Sequence, residues 1–219
     1  MQKTLSVIIP MYNYGKYLDE AIQSVLNQTV KPHEIICVSD GAIDNSVEIA
    51  KKYPVIIVEK ENGGLASARN AGARVATGEY LMSFDSDDIL RPQAIEKHLE
   101  LADENTIVTC ALMAFGTENY TARPKVASFE LLKKQNVIYS NSVFPKKLWE
   151  QVGGFDESEV MRLGLEDWLF WIECAKAGAK FVTNDYVALL WRRHPNAMSN
   201  ATANPNWAKI TEYMRKKTL

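Results

Sequence analysis

The stretch FDSDDIL, Phe84 to Leu90, places Asp85, Asp87 and Asp88 directly after the apolar run YLMSF. Carboxylates packed this tightly repel one another, and the first cation to follow is Arg91. One reading is a solvated turn between a strand and a helix, with Asp88 capping the helix. The other is that Asp85 and Asp87 share a hard divalent cation, Mg2+ or Mn2+, whose other ligands are water and substrate phosphates. A cation would also offset the clustered charge. Glu166-Asp167 is a second acidic pair, reached through RLGL and followed by a strongly apolar helical pattern. Two acids there either favour the positive end of the helix or supply a general base beside a pocket.

Two further groups are basic. In NGGLASARNAG, residues 62–72, small residues suit a helix packed close to a sheet, and Arg69 is a fixed cation among them. A guanidinium there suits a diphosphate or a base edge. WRRHPNAMSN, residues 191–200, gathers two arginines, His194 and Ser199, a composition suited to phosphate. Several familiar chemistries are missing. The chain has no G-x-G-x-x-G after its first apolar run, no G-x-x-x-x-G-K-[ST] and no G-x-S-x-G.

The elements that would hold these groups alternate. LSVII (5–9), EIICVS (34–39), VIIVE (55–59) and EYLMSF (79–84) read as strands. KYLDEAIQSVLNQ (16–28), SVEIAKKY, residues 64–78 and RPQAIEKHLELADE read as helices, with Asp44 or Asn45 as an N-cap and Gly78 as a C-terminal stop. Continuous apolar strands between helices indicate an α/β fold with a mostly parallel sheet covered on both faces. Ligands of such sheets bind beyond the carboxyl ends of the strands, so Asn13, Asp40, Asn62 and the acidic cluster are expected at one crevice. Further on, TIVTCALMAF reads as a strand, SFELLKKQ as a short helix and EDWLFWIECAKAG as an amphipathic helix closed by Gly178. KFVTND and YVALLWRR read as two strands, and NPNWAKITEYMRKK as a basic helix.

At 219 residues, 47% hydrophobic and 24% charged, the chain suits one sizeable core. A net charge of -2 gives no footprint for nucleic acid. Cys37, Cys110 and Cys174 are scattered among apolar neighbours, as expected of free thiols in a reducing compartment. No apolar run approaches the ~18 residues of a membrane span, so a cytoplasmic protein is expected. Lys209, Arg215, Lys216 and Lys217 either solvate a surface helix or draw the protein to the anionic face of a membrane.

Taken together, SVIIPMYNYGKYLDEAIQSVLNQ, EIICVSDGAIDNS, ENGGLASARNAGARVATGEYLMSFDSDD, GGFDE and LEDWLFWIECAKAG resemble the family-2 glycosyltransferases of the GT-A fold, in order and spacing. The resemblance runs from about Ser6 to Ser199 and implies a single GT-A domain over 1–219. Residues 1–112 would form its nucleotide-sugar half, 113–200 its acceptor and base half, and 204–219 a basic helix. It implies inverting, non-processive transfer from a nucleotide diphosphate sugar, with uridine the expected base, to a glycan or lipid-linked acceptor. By position, Pro10, Tyr12, Asn13, Asp40, Arg69, Asp85 and Ser86 would contact the nucleotide sugar. Asp87, with His194, would hold Mn2+ or Mg2+. Asp167 would be the catalytic base, with Asp88, Glu166 and Ser199 in support. The family's Asp-Asp-Gly-Ser reads Ser39-Asp40-Gly41-Ala42 here, and its arginine after Glu-Asp is replaced at Glu173-Cys174. Two other readings stand beside this one: a non-catalytic nucleotide-sugar-binding module, and a phosphatase of the haloacid-dehalogenase type. Against the phosphatase, Asp88 stands where that motif has glycine, and no later Gly-Asp-x-x-x-Asp occurs.

Overall fold

The computed structural model describes residues 3–218. Four strands and three helices alternate at the start: β1 (Leu5–Met11), α1 (Gly15–Leu26), β2 (Glu34–Asp40), α2 (Ser46–Ala50), β3 (Ile56–Lys60), α3 (Leu65–Val75) and β4 (Tyr80–Ser83). Then come β5 (Ile89–Leu90), α4 (Ala94–Leu101), β6 (Thr106–Gly116), β7 (Tyr120–Ala122), α5 (Phe129–Leu132), β8 (Val143–Pro145) and α6 (Lys146–Val152). The chain ends with α7 (Glu166–Lys176), β9 (Lys180–Arg193) and α8 (Trp207–Thr218). The nine strands form one sheet in the order β3-β2-β1-β4-β8-β6-β9-β5, with β7 added on β6. Its long ladders, β1 with β2, β2 with β3, β1 with β4, and β6 with β9, are all parallel.

Alternation along the strands builds a core on each face. Leu5, Val7, Ile9 and Met11 of β1 pack with α1 and α4, whereas Ile8 packs with α3 and α7 on the other face. β2 divides in the same way, Ile35 and Cys37 against Ile36 and Val38. Helices therefore cover both faces, as the continuous apolar strands imply. All three cysteines are buried free thiols.

Three local expectations are corrected. The helix over 64–78 stops at Val75, where Ala76 turns extended. Gly78 serves close approach instead, because a Cβ there would stand 2.6 Å from the Ser6 hydroxyl and 2.8 Å from its amide. Residues 180–193 form one strand, not two. The polar break at Asn184-Asp185 marks an irregularity in its register with β6, which shifts on either side of Ala111. Asp88 does not cap the following helix, whose N-cap is Gln93. Near α2, the Asp44 carboxylate accepts the Ser46 and Gly15 amides at 3.1 and 2.8 Å, tying two helix starts together.

The basic tail is helical, and two of its four cations are spoken for. Lys217 pairs with the shielded Asp156, and Lys216 with Glu212 at 2.7 Å. No helix among the described residues is long and apolar enough to cross a membrane.

Candidate active site

The carboxyl ends of β1, β2 and β4, the start of α7 and the segment after β9 enclose a cavity of about 720 Å3. Pro10, Tyr12, Asp40, Arg69, Asp85, Ser86 and Asp87 line it from the first half of the chain, and Glu166, Asp167 and Ser199 from the second. Asn13, Asp88 and His194 are not among the lining residues, and Asn13 is exposed. Asn13, in a left-handed conformation at φ 59°, accepts the Ile43 amide at 3.0 Å and so steadies the loop after β2.

The strand ends fix their side chains through donors within the chain. Asp40 is 3% exposed and accepts from Lys60 Nζ at 2.7 Å and from the Gly63 and Gly64 amides at 2.9 and 2.8 Å. This carboxylate sets the course of the loop into α3. Asp85 accepts from Arg69 Nη2 on one oxygen and from the Ser140 hydroxyl on the other, both at 2.9 Å. Asp87 Oδ2 stands 3.0 Å from His194 Nε2, and burial raises its pKa. Asp88 accepts the Arg192 amide at 2.8 Å. Burial first, and then Asp87 and Asp85, hold its carboxyl well above the usual range.

The arginines of WRRH have structural partners and do not line the cavity. Arg192 lies over the rings of Tyr17 and Phe115 at 4.7 and 4.6 Å, donates to the Asp87 carbonyl at 2.8 Å and pairs with Glu20. Arg193 lies 4.2 Å over the Trp191 ring and pairs with Glu118 at 3.1 Å. Arg192 is thus a strut beneath the acidic turn. Aromatic faces and acids hold both guanidinium groups, while Arg193 Nη1 stands 3.5 Å from the Ser199 hydroxyl of the cavity wall and its Nε is buried without a partner.

At the other wall, Leu165 adopts a left-handed backbone, φ 64°, immediately before α7. For a bulky side chain this conformation is strained; within the helix that follows, 3.6 residues per turn points the consecutive acids about 100° apart. Glu166 points inward, 3% exposed, onto Arg69. Burial raises its pKa to about 7, against the lowering effect of Arg69. Asp167 faces the cavity, accepting the Trp168 amide at 2.7 Å and the Asn136 amide group at 3.4 Å. Burial raises its pKa too, and Arg69 is the largest opposing influence.

Several wall residues carried no sequence signal. Asn136 and Ser140 come from an irregular stretch with no motif and matter only through their partners. Tyr14 donates to the Asn196 carbonyl at 2.8 Å, and burial pushes its phenol up to about 12. Its ring and that of Tyr17 lie 5.7 and 5.3 Å from His194. The aromatic spacing in YNYGKY was the available hint.

The candidate donors for a divalent cation are Asp87 and His194, which are hydrogen-bonded to each other. Neighbouring ligands at about 2.1 Å on an octahedral ion stand about 3 Å apart, which is the Asp87–His194 spacing. The other imidazole nitrogen, Nδ1, is buried without a hydrogen-bond partner. No three His, Cys, Asp or Glu side chains among the described residues form a metal-holding group. Two protein ligands would leave the remaining positions to water and phosphate oxygens, the habit of hard cations at phosphate sites.

A curled, mostly parallel sheet with acids at its strand ends and a second acidic pair across the cavity defines a protein of the GT-A class. The profile of glycosyl transferase family 2 matches residues 6–167, and the chain belongs to that family. Glycosyltransferase GlyG of Streptococcus pneumoniae serotype 4 is 45% identical over 102 residues, covering 44% of this chain and 34% of its own. The chain therefore spans about a third of that relative's length. Residues 1–349 of Staphylococcus aureus TarS in complex with UDP-GlcNAc superpose with a TM-score of 0.80 at 20% identity, covering 98% of this chain and 66% of that one. The mannosyltransferase PcManGT from Pyrobaculum calidifontis, in complex with GDP-Man and Mn2+, gives 0.68 at 21% identity, covering 90% and 59%. At these identities the two structures speak for the fold.

Proposed function

We propose that the chain is an inverting, non-processive glycosyltransferase. It would move one sugar from a nucleotide diphosphate sugar, with uridine the expected base, to a hydroxyl of a glycan or lipid-linked acceptor, in surface polysaccharide or lipid-linked glycan assembly. The observation that carries this reading is the convergence of Asp85 and Asp87, after β4, with Asp167, at the start of α7, on one cavity. Named relatives are glycosyltransferases, and the structural neighbours hold UDP-GlcNAc or GDP-Man, which supports a nucleotide-sugar donor.

In this reading Pro10, Tyr12, Asp40 and Ser86 frame the nucleotide, and Asp85 faces the ribose. Asp87 and His194 would hold Mn2+ or Mg2+, which, when bound, offsets the charge developing on the leaving diphosphate. Asp167 accepts the acceptor's hydroxyl proton as that oxygen bonds to the anomeric carbon and the carbon–diphosphate bond breaks. A single displacement inverts the centre and needs one base and no protein nucleophile.

The test pairs binding with turnover. A thermal-shift panel of UDP-, GDP- and dTDP-sugars, with and without Mn2+, identifies base, sugar and metal dependence together. Metal-dependent hydrolysis or transfer is then compared in the wild type and in Asp167→Asn. The variant is expected to keep the donor-induced shift and lose about 10²–10⁴-fold in turnover. Unchanged turnover would rule Asp167 out as the base. Donor stabilisation of the wild type without any turnover would instead mark a binding module.

A further inference from the structure

We propose that Arg69 is a positioning residue whose guanidinium ties Asp85, on the donor side, to Glu166, on the base side, and so fixes the aim of Asp167. This rests on reading Asp167 as the base. The resemblance alone implies a different role, contact with the base or diphosphate of the donor.

Arg69 projects from a helix whose other inward residues are small, including Ala66, Ala68 and Ala73, and it is 2% exposed. Nη2 meets Asp85 at 2.9 Å and Nη1 pairs with Glu166, which is itself 3% exposed. The guanidinium carbon lies 5.6 Å over the Phe155 ring. Both Nη groups are therefore committed to acids that stand 16 and 97 residues away in the chain. Each Nη spends an N–H on an acid and Nε is buried without a partner, and a diphosphate that took the place of Glu166 would leave a buried charge unpaired. A planar fork can bridge two carboxylates in this way, whereas a lysine ammonium is a point charge on a flexible stem.

The bridge has an electrostatic consequence. The charged groups facing Asp167 are Arg69 from α3, Asp85 from the turn after β4 and Glu166 from α7 itself, while Asn136 and the Trp168 amide contribute hydrogen bonds. Arg69 is the cation of this set. It favours ionised Asp167, the form that accepts a proton, while burial and Asp85 oppose it.

The experiment is the pH dependence of kcat, with donor KM, in Arg69→Met, Arg69→Lys and Glu166→Gln, using a donor that stabilises the wild type. In Arg69→Met the acid limb should move up by about 1–3 pH units, the displacement expected on removing an opposite charge. kcat at neutral pH should fall at least about tenfold with donor KM little changed. Glu166→Gln should lower kcat with donor KM little changed, because the bridge loses its charged anchor on the base side. Arg69→Lys should keep the limb near its wild-type position and still lose kcat, because one ammonium cannot hold both acids. A raised donor KM with an unmoved limb in Arg69→Met would make Arg69 a donor contact and overturn the proposal. Should Arg69→Met fail to fold, a raised donor KM with kcat unchanged in Arg69→Lys overturns it equally. A wild type that binds donor without turnover fails earlier, at the reading of Asp167.

Discussion

Glu166 and Asp167 are adjacent in sequence and both reach the cavity wall, yet one is paired with an arginine and the other accepts only from amides. The difference lies in their surroundings, because burial raises both and only position decides which can meet a substrate. His98 shows the same physics away from any site. It is fully buried, its Nδ1 donates to the Ala94 carbonyl at 2.7 Å, and Nε2 has no partner. Burial lowers its pKa from 6.5 to about 4. The unfolded chain then takes up a proton near pH 6.5 that the folded chain resists until about pH 4. Between those values the unfolded state binds more protons, so stability falls as the pH drops through the window. His98→Leu is expected to remove roughly 2–3 kcal/mol of that fall. Urea melts of both proteins at pH 7 and pH 4.5 check it: an equal loss in both would show that His98 does not titrate in this way.

Among the elements, α3 shows what close packing demands. A Cβ at Gly72 would stand 2.4 Å from Ile8 Cγ2 and 3.2 Å from Val38 Cγ2. Alanine in a helix is favoured over glycine by about 1 kcal/mol, whereas overpacking costs about 1–3 kcal/mol. Ile8 is 2% exposed and branched at its Cβ, with no room to withdraw, so the clash should win. Gly72→Ala is expected to lower Tm by about 2–6 °C, and a calorimetric scan showing a rise would refute this account of the contact. The small-residue pattern announced this helix in the sequence, but not its end. Gly78 has the residue type of a helix stop, and only the position of Ser6 reveals why it must be glycine. Likewise the polar pair Asn184-Asp185 reads as a gap between two strands, because a ladder irregularity and a loop use the same residues.

For the whole molecule, binding between the two halves of the chain should act as a clamp. Donor and Mn2+ at 100 times Kd would add about 2.7 kcal/mol to stability, or about 5–10 °C in Tm for a chain of this size. Donor without metal should give less, and equal shifts in melting curves with and without Mn2+ would argue against the Asp87–His194 assignment. Most of the acids in this clamp are legible in the sequence because strand ends in a parallel sheet share one edge, which gathers Asp40, Asp85 and Asp87. Asn136, Ser140 and the struts Arg192 and Arg193 are not, since their meaning depends on partners brought together by the fold. The order of the sheet also bears on how the protein comes into being. β9 lies between β6 and β5, pairing Thr106 with Lys180 and Gly116 with Arg193. An interior strand is therefore made after every other described strand of the sheet. During synthesis β1 to β4 can zip together early, while β6 must wait with an open edge for some seventy residues more. In that interval the nascent chain carries an apolar strand with one open edge, of the kind that invites misassembly. The cavity gains Trp191 and the Asp87 turn its Arg192 strut only when that wait is over.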